Sequence, residues 1–133
     1  TVTDQITVPS IADFIGTDTS SAQEAFAGTL LHELGHWTGH KSRLNRQLAN
    51  AFGSEDYAKE ELVAELAATF LCSDLGISAE PRPDHAQYLA SWLKALKNDK
   101  RLIVRASSQA HKAVDFVHSL QPKEETIAAD KAA

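Results

Sequence analysis

Apolar positions recur at helical spacing over most of this chain. Ser21, followed three residues later by Glu24, forms a capping box. Phe26, Leu30, Leu34 and Trp37 then fall every three or four positions, and Gly39 stops that helix. Ser54 caps a second helix of about 20 residues that ends near Gly76. Its core stripe is Leu62, Val63, Leu66 and Phe70. Pro81 and Pro83 mark a turn, and Asp84 with Gln87 caps a third helix carrying Leu89, Trp92, Leu93 and Leu96 on one side. Asn98 is expected to start a fourth helix with Leu102, Ala106, Ala110, Ala113 and Val117 facing inward. Two stretches break the pattern. Residues 4–8 (DQITV) alternate polar and apolar and stop at Pro9, which predicts one short edge strand. Residues 40–53 are polar and basic and close on Gly53, as a loop would. The expected architecture is mainly α (α+β), with a minimal β-sheet, one domain over residues 1–120 and a solvated tail over residues 121–133.

At 133 residues the chain has room for one core and not for two. The single cysteine, Cys72, excludes an internal disulfide framework and reads as a small buried apolar residue in a reducing, cytoplasmic setting. A net charge of −5 argues against nucleic-acid binding through general electrostatics. No run approaches the length of a membrane span, so no membrane partner is expected. A chain that starts at Thr1 and contains no methionine is expected to be a processed product or an excised fragment.

The chemistry concentrates at His32-Glu33-Leu34-Gly35-His36, an HExxH sequence in mid-helix. Residues four apart on a helix stand one above the other, so the two imidazoles converge on one point. Neutral imidazoles bind zinc, and Glu33, one position past the first ligand, can take a proton from an activated water. A catalytic zinc takes three protein ligands and keeps one position open. His40 would continue the stripe, but Gly39 ends the helix first, so His40 is expected to cap the helix or line the site. A third histidine in the metzincin arrangement would fall at position 42, which is Ser42, and the Met-turn has no methionine.

Glu61 and Glu65 are better placed: four apart on the second helix, on a face with Ala58, Ala68 and Cys72. Two carboxylates beside a core stripe are costly to bury unless paired or metal-bound. Glu61 is assigned to the metal and Glu65 to orienting His32 or His36, while Glu60 is expected to face solvent. Tyr57, one turn before Glu61, is the expected transition-state donor, with Tyr88, His85 and His111 as alternatives. Lys41, Arg43 and Arg46 read as a solvated basic loop, and Trp37 and Trp92 as core.

Residues 30–46 (LLHELGHWTGHKSRLNR), 52–77 and 85–116 resemble, in order, blocks of the C-terminal domain of ArdC-type antirestriction proteins and of TraC-type plasmid primases. The resemblance implies a zincin-like metallopeptidase domain, similar in plan to SprT-like proteases. It implies one zinc ion, with manganese or cobalt as substitutes, and a peptide or protein substrate. It also implies a single-stranded-DNA-binding domain amino-terminal to these residues, and restriction enzymes as further partners. The family motif carries over onto His32, Glu33 and His36; its acidic segment maps onto Glu60, Glu61 and Glu65 without distinguishing which binds metal. Two functions follow: zinc-dependent, gluzincin-like hydrolysis of peptide bonds, or a metal-binding but non-catalytic module that protects DNA by binding it or a restriction enzyme.

Overall fold

The computed structural model describes residues 4–48, 51–78 and 85–122. Among the described residues there are four helices, α1 (Ala22–Thr38), α2 (Glu55–Asp74), α3 (His85–Asn98) and α4 (Leu102–Ser119), preceded by a 3₁₀ turn at Ile11–Asp13. Local chemistry explains most of the boundaries. Ser21 accepts from the backbone N–H of Glu24 while the Glu24 carboxylate accepts from the N–H of Ser21, so the capping box forms as the sequence predicts. Ser54 accepts from the N–H of Tyr57 at the start of α2. Beyond the other end of α2, Gly76 takes a left-handed conformation at φ 66°, which a residue without Cβ adopts at little cost.

α2 is the central element, in contact with α1, α3 and α4. It buries residues on nearly every side, including Ala58, Leu62, Val63, Ala64, Ala67 and Leu71. One cluster joins Leu62 and Val63 to Ala95, Leu102 and Ala106, with Leu66, Trp92 and Leu96 packed on it. A second joins Ala67 to Ala110 and Ala113, with Leu44 and Phe70 alongside. Cys72 is buried among these helices, and burial raises its thiol pKa. No described helix is long and apolar enough to cross a membrane.

α1 packs differently from its hydrophobic pattern. Phe26, Leu34 and Trp37 are only half-buried, Leu30 is exposed, and the residues pressed inward are His32, Gly35 and Thr38. Gly35 explains why. A Cβ built there would stand 3.2 Å from Ala64 Cα and 3.3 Å from Ala64 O, so α1 and α2 meet backbone to backbone at this point. The close crossing sets His32 and His36 opposite the acidic turns of α2.

Three expectations need correction. No strand forms among the described residues, and residues 4–8 have no ladder partner there. A strand exists only when a neighbour supplies the hydrogen bonds; Ile6 and Val8 are half-buried without one, and Asp4 ties the segment to α1 instead. The fourth helix starts at Leu102, because Asn98 still belongs to α3 and Asp99 closes the turn by accepting from the N–H groups of Arg101 and Leu102. In α4 Val114 is buried and Val117 only half-buried. Thirdly, the loop after α1 is not simply solvated. Arg43 and Arg46 turn inward, with side chains 10% and 7% exposed, and Lys41 alone of the basic trio is exposed. The expected Pro81, Pro83 and Asp84–Gln87 features and residues 123–133 of the tail lie outside the described residues.

Candidate metal centre

His32 and His36 project from successive turns of α1, and their Nε2 atoms lie 3.1 Å apart. Glu61 enters from α2: its Oε2 is 3.6 Å from His32 Nε2 and its Oε1 is 3.4 Å from His36 Nε2. These three side chains are the cluster among the described residues whose donor atoms converge tightly enough to hold one cation. Two donors each about 2.0–2.1 Å from a tetrahedral ion stand about 3.3 Å apart, so the observed spacings suit it.

The back of each imidazole meets a carboxylate. His36 Nδ1 donates to Glu60 Oε1 at 3.2 Å. His32 Nδ1 faces Glu65 Oε1 at 2.9 Å, close in distance although poorly aligned for a hydrogen bond. A proton on Nδ1 leaves the Nε2 lone pair free to point at a shared cation. That tautomer is what a ligating histidine needs.

The charges are consistent with this. Burial would lower the pKa of His36, but hydrogen bonds to Glu60 and Glu61 outweigh it and raise the value to about 9. Burial pushes Glu60 up, but His36 and Arg46 hold its carboxyl below the ordinary value. Glu61 is likewise held low against burial, chiefly by His36. A proton on His36 thus balances the carboxylates when no cation is there.

All seven expected site residues lie at or beside this point, together with others. Glu33 is half-buried and lines a cleft of 420 Å³ together with His36, Trp37, His40, Arg43 and residues Asp4–Thr7. His40 lines the cleft, and its Nδ1 accepts from the N–H of Ser42. Tyr57 shares a hydroxyl hydrogen bond of 3.3 Å with Tyr88, and its own hydroxyl helps keep the Glu61 carboxyl low. Burial, then Tyr88 and the charge of Glu61, raise the Tyr57 pKa, so its hydroxyl keeps its proton. Glu65 backs His32. Among the alternatives to Tyr57, His111 bonds Ser107 on its own helix and lies tilted against Phe70 rather than at the site; the side chain of His85 lies outside the described residues.

Glu60 is the residue sequence reasoning misplaced. Its side chain is 11% exposed, not solvent-facing. At 100° per residue, positions 60, 61 and 65 span an arc of about 140°, centred close to Ala64, so the helical wheel carried a signal that all three carboxylates share the face toward α1. Arg46, expected in a solvated basic loop, is buried as well, and nothing local marks a loop arginine as buried.

Residues 1–109 match the family described as zincin-like metallopeptidase. The chain belongs to this family. The zincin-like chain is 48% identical over 122 residues to a DNA primase TraC of Escherichia coli, a match covering 92% of it and 11% of the relative. It is 44% identical over 119 residues to the uncharacterized protein y4eC of Sinorhizobium fredii (strain NBRC 101917 / NGR234), covering 90% of it and 37% of the relative. The chain therefore spans well under half the length of these curated relatives. Among solved structures it is similar to the Mn(II)-bound crystal structure of the antirestriction ArdC protein from plasmid R388, with TM-score 0.66 and 44% identity over 73% of this chain and 36% of that one. The donor set found here, two imidazoles and a carboxylate, fits the divalent cation that such a neighbour carries.

Proposed function

We propose that this zincin-like domain is a metal-dependent peptidase in which His32, His36 and Glu61 hold one zinc ion, replaceable by manganese or cobalt. The observation that carries this reading is the convergence of the two Nε2 atoms and the Glu61 carboxylate within 3.1–3.6 Å, each ring backed by a carboxylate. When bound, such a cation polarises a scissile carbonyl and acidifies a water. The chain's own residues supply the rest. Glu33, open to the cleft beside His36, takes a proton from the attacking water and delivers it to the leaving amine as the C–N bond breaks. Tyr57, kept neutral by its surroundings, donates to the oxygen that gains charge in the transition state. The open cleft beside Glu33, walled by Trp37 and residues 4–7, gives a peptide room to lie against the site.

Replacing Glu33 with Gln tests the reading. The variant is expected to bind zinc as the wild type does and to lose cleavage of an unfolded protein substrate by at least about 100-fold. Undiminished cleavage would end the catalytic claim.

That the R388 neighbour is an antirestriction protein favours a second reading. In it, the metal-loaded domain works by binding, alongside a single-stranded-DNA-binding domain or against a restriction enzyme, with no hydrolysis. A Glu33→Gln protein that still shields DNA from restriction separates the two.

A further inference from the structure

We propose that Arg46 is a positioning residue for the metal centre: it fixes the orientation of His36 through Glu60, and thereby sets cation affinity without touching the cation. This rests on the metal reading above. Arg46 reaches back from the loop after α1, and its side chain is 7% exposed. Its Nε donates to Glu60 Oε2 at 3.0 Å and its Nη2 to Glu60 Oε1 at 2.8 Å, a two-pronged grip on both carboxylate oxygens. The oxygen held by Nη2 is the one that receives His36 Nδ1. A glutamate alone could swing about its side-chain torsions; a planar fork gripping both oxygens holds the carboxylate plane, and with it the imidazole, in one orientation.

The guanidinium is itself held. Nη2 also donates to Gly35 O at 2.7 Å and Nη1 to Thr38 Oγ1 at 2.9 Å. Both acceptors lie on the last turns of α1, on either side of His36. One cation thus ties three separate pieces of backbone together: the end of α1, the loop, and the first turns of α2. Gly39 leaves room for it, since a Cβ there would come within 2.8 Å of Arg46 Nη2. Lysine could supply the charge but not the fork, nor four directed hydrogen bonds.

The test is calorimetric titration of ZnCl₂ and MnCl₂ into the whole chain, comparing wild type with Arg46→Met, Arg46→Lys, Glu60→Gln, the double variant and Glu61→Ala. Loss of an outer partner of a ligating histidine lowers metal affinity about 10–100-fold, and Arg46→Met and Glu60→Gln are each expected in that range. Because they act in series, the double variant should bind no more weakly than the weaker single one. Arg46→Lys should restore at most part of the loss. The Co(II)-loaded variants should show altered visible absorption, which a residue that only supports the fold would not change. Circular dichroism of the metal-free proteins shows whether each is folded; should Arg46→Met not fold, Glu60→Gln and Arg46→Lys carry the comparison. Wild-type affinity in folded Arg46→Met or Arg46→Lys, or strictly additive losses in the double variant, would overturn the proposal. Wild type and Glu61→Ala binding equally would instead overturn the metal reading itself, and the inference with it.

Discussion

Gly35 is where packing and the site depend on the same contact, so Gly35→Ala separates fold stability from metal binding. The new Cβ would lie 3.2 Å from Ala64 Cα and 3.3 Å from Ala64 O. Carbon atoms in contact prefer about 3.5–4.0 Å, so α1 and α2 must part by about 0.3 Å or more. Overpacking of this kind costs about 1–3 kcal/mol, whereas exchanging glycine for alanine inside a helix returns about 1 kcal/mol. The net destabilisation of the metal-free protein is therefore about 0–2 kcal/mol, a drop in Tm of up to roughly 10 °C for a domain of this size. The metal centre has no such compensation. His32 and His36 sit on one helix and Glu61 on the other, and ligand distances tolerate only about ±0.2 Å. Zinc affinity is expected to fall by about tenfold or more, read by calorimetric titration beside thermal melts of the metal-free protein. A variant with lowered metal-free Tm and wild-type zinc affinity would refute the idea that this crossing sets the ligand spacing.

Other expectations follow from single contacts. Ser21→Ala removes the acceptor for the Glu24 N–H and should cost about 1 kcal/mol, seen as a lower denaturant midpoint with metal affinity unchanged. Asp4→Ala releases the wall of the cleft formed by residues 4–7 from Trp37 Nε1 and Arg43; backbone NMR order parameters at residues 4–8 should fall while Tm moves little, and unchanged order would count against the tether. The metal-free protein should have a pH dependence set by the buried carboxylates. Glu60 and Glu61 titrate below their ordinary value when folded, so their contribution is present above about pH 4.5 and is lost as pH falls through their folded values. His36 titrates higher when folded, so its contribution is full below about pH 6.5 and disappears as pH rises through about 9. Urea unfolding across pH with a chelator present checks both limbs, and a flat profile would contradict the charge balance described for the site.

Much of this domain could be read along the chain because it depends on neighbours within one turn. Ser21 with Glu24, Ser54 with Tyr57, and glycine after α2 act over two to four residues, so helix ends follow from local chemistry. The same periodicity places His32 above His36 and Glu61 above Glu65 whatever the rest of the molecule does. Partnership between helices carried no such mark. Whether residues 4–8 form a strand depends on a ladder partner elsewhere, and the described residues supply none. The face of α1 that enters the core was decided by the Gly35–Ala64 crossing, against its own leucine pattern, because a missing side chain allows a closer approach than a leucine stripe. Glu60 and Arg46 carry charges that prefer water when considered singly. Only the chain's path brings them within 2.8 Å of each other and beside His36, where mutual pairing offsets their desolvation.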